Sequence, residues 1–507
     1  MSQLKKGVLL NYSTILLTNI VGILLTPFIL KHLGSSEYGI YLTIGAFVGT
    51  ISLLDFGLSN TVVRFVAKYQ AEKDKEGEEN FLATTMLIYL FISLVIVIIG
   101  VVFYTFFLDS YFTKMNREEI KIAKAIFGIL IFNLAIGLPG AAFSGICYSY
   151  ESFVFPKALN IIRYITRSLT VVAVLSLGGK SIALVIIDTS FNILIILITS
   201  IFVFKKLKVK FKLHKFSFKF IKEIFSYSGW IFIFGLVALF QWQAGYFVLG
   251  RLSTSEIITI YGLGVTLGSY YGAFSTAISS MFLPRATKMS VNKVSSAELT
   301  NEMIKVGRLS FIVLMFIFGA FLLFGRQFVF LWVGSELSIA TTNTIWLIAL
   351  LIMIAYTVPL VQSFANLILE AQNKLAFKAI LYLSSLIIGT GIGAYLVKDF
   401  GVLGMISGTL TGWVTAQVIM NFYYVRVAKL NILTFFKKLL SKILPALIIS
   451  LILGHLLNYI PYDGAINFVI KAAIYTMVYS LITFKIGLNN YEKELFQNGI
   501  NKVFKKK

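Results

Sequence analysis

Long apolar runs recur along the whole chain, and nothing constrains its fold more. About fourteen windows reach the roughly 20 residues that a helix needs to cross a bilayer core. Their limits lie near 9–30, 39–65, 82–107, 122–147, 154–177, 181–204, 226–249, 257–282, 305–332, 340–366, 377–398, 401–425, 440–460 and 466–486. Within each window the apolar residues are continuous rather than alternating, which excludes a transmembrane β-barrel. Only 13% of the residues are charged, about half of the ~25% typical of soluble domains. So few cannot cover the two or three soluble domains that this length could hold. The chain reads as an all-α polytopic membrane protein. Its breaks carry turn residues, such as Gly178-Gly179-Lys180 and Asn458-Tyr459-Ile460-Pro461. The window 305–332 is the least clear, because Arg326 falls inside it.

The formal charge is +23, from 45 Lys+Arg against 22 Asp+Glu. In a soluble protein such an excess would point to nucleic acid. Here the positives sit in short loops between spans, so no nucleic-acid partner is expected. By the limits above, 33 Lys and Arg fall on the side of the termini and 9 on the other, with Arg163, Arg167 and Lys471 inside spans. That bias puts both termini in the cytoplasm. No loop on the opposite side is long enough for an outward domain. The one cysteine, Cys147, excludes internal disulfides and Cys-clustered metal sites, and His32, His214 and His455 make no zinc motif. No metal or cofactor is expected. Lys5 and Lys6 precede an apolar run as in a signal peptide. The run continues to Leu30 without a small-x-small cleavage site, so it reads as a retained first span.

The sequence resembles itself at an offset of about 220 residues. His32-Leu33-Gly34-Ser35-Ser36-Glu37 follows the first span, and Arg251-Leu252-Ser253-Thr254-Ser255-Glu256 follows the seventh. Asn11-Tyr12-Ser13 matches Ser226-Tyr227-Ser228, Pro139 matches Pro359, and Phe155-Pro156-Lys157-Ala158 matches Ala376-Phe377-Lys378-Ala379. Six spans per copy keep both copies in one orientation, the plan of transporters whose sites lie between parallel repeats. The expected organisation is an N-lobe at 1–204, a basic linker at 205–225, a C-lobe at 226–427, and two appended spans with a basic tail at 428–507. Lys215, Lys219 and Lys222 fall at helical spacing beside Phe and Ile, so the linker reads as an amphipathic helix attracted to anionic lipids. A solvated connector is the plainer reading.

Asn11-Tyr12, Thr26-Pro27, Leu33-Gly34 with Glu37-Tyr38-Gly39, and Leu54-Asp55-Phe56-Gly57-Leu58 with Arg64-Phe65 resemble the opening of bacterial Wzx-type polysaccharide-repeat-unit flippases. These belong to the multidrug/oligosaccharidyl-lipid/polysaccharide exporter superfamily. The motifs cover about the first 70 residues; beyond them the resemblance rests on span count, the repeat and the two appended helices. It implies translocation of an undecaprenyl-diphosphate-linked oligosaccharide from the cytoplasmic to the outer leaflet, through a central cationic cavity of alternating access. It also implies the bacterial cytoplasmic membrane, a monomer, and a polysaccharide polymerase and glycosyltransferases as companions.

Ions inside spans are expensive and default to a functional reading. Arg163 and Arg167 lie four residues apart on one face of the fifth span, about 10 and 17 Å beyond Pro156. Guanidinium forks suit diphosphate oxygens, although Arg163 could instead snorkel to the interface. Asp188 reaches a similar depth on the antiparallel neighbour. It serves either as a structural partner of Arg167 or in ion coupling, and the two roles are compatible if the pair opens. Asp55 and Arg64 suit gating or helix-end anchoring. Gln241, Gln243, Gln362 and Asn366 suit sugar hydroxyls or interhelical hydrogen bonds. Tyr270-Tyr271 suits ring stacking or the helix core. Asn11, Asn19 and Thr26 resemble the family's polar first helix, which Pro27 bends.

No phosphate loop, nucleophile–base set or exposed carboxylate pair occurs, so no enzyme is expected. A lipid-linked peptidoglycan-precursor flippase of the same superfamily is the nearest alternative. A cation-coupled drug exporter, with twelve spans, and a membrane polymerase or ligase, with an outward catalytic loop, fit less well.

Overall fold

The computed structural model describes residues 3–55, 58–215, 232–279, 282–292, 294–372, 374–460, 464–495 and 497. Lys219 and Lys222 of the expected linker helix, and the side chain of Asn11, lie outside these residues. Among the described residues every regular element is helical. A backbone in hydrocarbon must satisfy its own hydrogen bonds, and a helix does so within one segment. Among the described residues, eleven helices are long and apolar enough to span, and the bent pair Phe232–Trp242 and Ala244–Leu252 makes a twelfth. Two of the helices are double. Gln3–Ile51 contains Gly34 at φ 77°, and Ala376–Arg426 contains Gly401 at φ 55°. A 51-residue helix would be ~75 Å long, more than twice the hydrocarbon thickness. The chain therefore folds back at a left-handed glycine, where no Cβ obstructs the turn. The about fourteen spans expected from the sequence are present.

The remaining helix ends follow from local chemistry. Asn116 accepts from Glu119 N–H at 2.9 Å while Glu119 accepts from Asn116 N–H at 2.8 Å, a reciprocal cap that starts Arg117–Ser149. Asn489 and Glu492 repeat it at 2.9 and 2.8 Å. Leu94, Phe106, Leu197 and Ile388 remain exposed, as lipid-facing positions must. Arg326 is accommodated inside Ser296–Val333 by stacking 4.4 Å from the Trp346 ring centre.

The contacts group the chain into two units, residues 1–262 with 390–405, and residues 263–389 with 406–507. In the first, Arg117–Ser149 packs on Ser181–Lys205 and Lys75–Val102, and the long first helix packs on Val154–Ser176. In the second, Ser296–Val333 is the hub for Ile339–Val361, Ile432–His455 and Ala465–Ile482. The repeat is visible in ring contacts: Phe155 stacks on Phe202 at 3.9 Å in the first unit, and Phe377 on Tyr423 at 4.4 Å in the second.

Candidate functional site

The intramembrane charges of the first unit converge. Arg167 donates Nε and Nη2 to the two carboxylate oxygens of Asp188 at 2.6 and 3.0 Å, joining Val154–Ser176 to Ser181–Lys205. The Tyr41 phenol stands beside the pair, and the Tyr164 hydroxyl donates to Thr18 O at 3.3 Å, which brings the Thr18-Asn19 stretch of the first span to the same helix. The Arg163 side chain, one turn away, is half-buried, makes no hydrogen bond or ion pair among the described residues, and feels the charge of the same Asp188 at longer range. Two guanidinium groups thus face one carboxylate, leaving one positive charge. Thr26 is turned inward on its own helix, donating to Gly22 O at 2.8 Å.

Two spans of this unit break at polar residues. The second ends its regular helix at Ile51 and turns through Ser52–Asp55 before Leu58–Glu72 begins. The buried Tyr89 phenol lies against Asp55, and Arg64 is exposed on Leu58–Glu72. The seventh bends by 45° between Trp242 and Ala244. At this bend the Gln243 amide lies against Gly49, where a Cβ would come within 3.3 Å of it. Gln241 is half-buried on the preceding turn. Interrupted helices of this kind line substrate and ion sites in transporters.

A clamp closes the end of this unit that carries the 34–37 turn. Ser36 and Ser255, repeat-related in the sequence, both donate to Glu119 Oε1, the latter at 2.8 Å. Thr259 donates to Ser35 O at 2.5 Å, Lys180 to His32 O at 2.7 Å, and Arg251 to Ser110 O at 2.8 Å. Glu37 accepts the Ser181 N–H at 2.8 Å and its hydroxyl at 2.5 Å. Sequence reasoning missed Glu119. The capping spacing Asn116-x-x-Glu119 signals no more than a helix start, and only the fold brings both serine turns to it. At the other end Tyr150 donates to Glu78 Oε1 at 2.7 Å; burial, and then that carboxylate, push its phenol above the ordinary range.

Around Gln362 the polar core of the second unit is built from uncharged side chains. Gln362 sits fully buried at the break between Ile339–Val361 and Ser363–Ala371. Its amide donates to Asn421 Oδ1 at 2.7 Å and its carbonyl accepts from Gln417, which in turn accepts from Tyr382. Asn366 accepts from Tyr424 at 2.8 Å, and Tyr271 shares a 2.7 Å bond with Thr357. Gln362 and Asn366 thus make hydrogen bonds between helices. Arg308 was counted only as a loop-side charge, yet it is buried. It donates to both Glu492 oxygens at 2.6 and 2.9 Å and to the Lys438 and Gly487 carbonyls at 2.7 Å each. This ties the last two spans to Ser296–Val333.

The sequence model of the family described as polysaccharide biosynthesis protein matches residues 4–290. A Bacillus subtilis (strain 168) protein described as uncharacterized membrane protein EpsK is 25% identical over 342 residues; the match spans 65% of this chain and 65% of that protein's length. Among solved structures, the lipid II flippase MurJ in an inward closed conformation gives a TM-score of 0.70 at 16% identity, covering 94% of this chain and 98% of that one. An inward-facing multidrug resistance MATE family transporter of the MOP superfamily gives 0.59 at 15% identity, covering 81% and 93%. At these identities the two structures are similar in fold.

Proposed function

Because this chain belongs to the polysaccharide biosynthesis protein family, we propose that it is a flippase that carries an undecaprenyl-diphosphate-linked oligosaccharide from the cytoplasmic to the outer leaflet by alternating access. Arg163 carries this reading. A half-buried guanidinium inside a span, with no side-chain hydrogen bond among the described residues and only an already paired carboxylate nearby, is costly unless something anionic visits it. A diphosphate offers oxygens that a guanidinium fork can grip in pairs. Arg167, held by Asp188, fixes the neighbouring helices and keeps the local charge at one excess positive. Asn11 and Asn19 are assigned to the sugar from the first lobe, and Gln241 and Gln243, with Gln362 and Asn366 once their interhelical bonds open, from the second. Asp55, Arg64 and Asp188 are assigned to gating or ion coupling, and the Glu119 clamp to closure of one end.

The two lobes are taken as 1–204 and 226–427, joined by the basic linker, with 428–507 appended. The charge bias supports a bacterial cytoplasmic membrane with both termini inside. Glycosyltransferases would supply the lipid-linked unit and a polymerase would consume it.

The test is export of a lipid-linked oligosaccharide in a strain lacking its own flippase. Arg163→Gln is expected to abolish export at normal membrane abundance. Arg163→Lys should restore part of it, because an ammonium keeps the charge and loses the fork. Full export by Arg163→Gln would overturn the assignment. Rescue of a strain depleted of its lipid II flippase, without rescue of the polysaccharide strain, would move the substrate to the peptidoglycan precursor.

A further inference from the structure

Residues 206–215 leave the helix Ser181–Lys205 and form no second helix. The turn that ends the helix closes at Lys208, which takes the left-handed conformation at φ 55°. Lys206 and Leu207 N–H groups donate back to Phe202 O at 2.9 and 3.2 Å, and Val209 N–H donates to Val203 O at 3.3 Å. Beyond this turn, inward and outward positions alternate, as in any extended chain. Val209 is buried, and the Phe211 ring lies against Phe143 and Phe204 with centroids 6.1 and 5.6 Å away. Lys208, Lys210 and Lys212 point outward and are exposed, as is Lys206 before them.

The far end is fastened as well. Asn80 Oδ1 accepts the N–H groups of His214 and Lys215 at 2.8 Å each. The His214 ring meets Glu79 at 3.1 Å and Glu76 at 3.6 Å. Both carboxylates thus lie beside the histidine. Among the described residues, Lys206, Lys208, Lys210 and Lys212 have no ion pair.

We infer that residues 206–213 are a ready-made cationic strip that binds the headgroups of anionic phospholipids at the membrane surface. Its position favours a lipid, because the strip starts where a membrane span ends. Its neighbours favour one too: Phe204 and Leu213, 47% and 46% exposed, flank the lysines and offer apolar surface at the same depth. Because Phe211 and His214 already hold the backbone, binding orders little more than the lysine side chains. This inference does not depend on the transported substrate.

The experiment uses the full chain purified in detergent, with bound phosphatidylglycerol and phosphatidylcholine counted by native mass spectrometry. Phosphatidylglycerol should be preferred, and Lys206→Gln/Lys210→Gln/Lys212→Gln should lose that preference at about fivefold per lysine. The corresponding triple arginine variant should keep it. If the glutamine variant fails to reach the membrane, Phe211→Ala serves instead: it frees the strip with every charge retained, and should weaken the preference. Equal retention of both lipids by the wild type, or an undiminished preference in either loss variant, overturns the inference. So does displacement of phosphatidylglycerol by inorganic pyrophosphate at an ionic strength where chloride has no effect, which would mark a site for free phosphate.

Discussion

Arg308–Glu492 in the second unit and Arg167–Asp188 in the first share a two-pronged geometry and differ in what surrounds it. The side chains of the former are 4% and 2% exposed, and the guanidinium also meets two carbonyls. Those of the latter are 18% and 25% exposed, with a second arginine one turn away that has only the already paired Asp188 to balance it. A closed, fully hydrogen-bonded pair holds helices together. In the proposed flippase, an open pair beside surplus charge serves an anion that comes and goes. Burial, rather than the presence of an ion pair, distinguishes the two roles.

If that distinction is right, Arg308→Gln should do the most damage. It strands Glu492 in the protein interior, at a loss of about 3–5 kcal/mol, and should sharply lower membrane abundance and the melting temperature of purified protein. Arg308→Met/Glu492→Leu should recover most of the loss, since a well-packed apolar pair of similar volume is often neutral or better. A single variant as stable as wild type would erase the contrast.

The repeat sharpens it further. Shifting the sequence match by one residue so that exposed positions coincide, Ile162, Ile165 and Leu169 with Ser384, Ile387 and Gly391, sets Arg163 against Ser385 and Arg167 against Gly389. There the second unit packs backbone on backbone: a Cβ on Gly389 would lie 2.7 Å from Gly408 O and 2.9 Å from Gly412 Cα. The fold does not require arginines at this place. Gly389→Ala should therefore destabilise by about 1–3 kcal/mol through overpacking, read as a lower melting temperature. No change would mean the helices can simply move apart.

Arg167→Gln comes next. Both partners are partly exposed, at 18% and 25%, so its cost should be nearer 1–2 kcal/mol than that of the buried pair. Asp188→Asn in the same chain should restore abundance by removing the stranded carboxylate. Transport in that double variant should return, provided Arg163 is intact. A double variant that is abundant and inactive would show that Arg167 itself holds substrate.

The spans and the Arg167–Asp188 pair were legible because both are local arithmetic: apolar run length for the first, and depth along antiparallel neighbours for the second. Arg308–Glu492 was not, since 184 residues separate the partners and neither sits deep in an apolar window. The Glu119 clamp shows the same gap. Its serines stood out as repeat copies, but what they share comes from a third segment. Helix breaks at Gln243 and Gln362 were also hidden, because an amide in an apolar run reads equally as lining or as interhelical glue. Only its partners decide, as Gln417 and Asn421 do for Gln362.

Arg163→Gln should have the smallest effect on stability and the largest on transport, and that opposition is what the comparison of the two pairs requires. No partner is stranded when this guanidinium goes, because none is bonded to it among the described residues. Removing an uncompensated charge from a span relieves a desolvation cost, so the melting temperature of purified protein should stay level or rise slightly. A site kept at the expense of stability is the usual mark of function rather than architecture. A clear fall in melting temperature would mean that Arg163 supports the helices after all, and the surplus positive charge would lose its claim to the diphosphate.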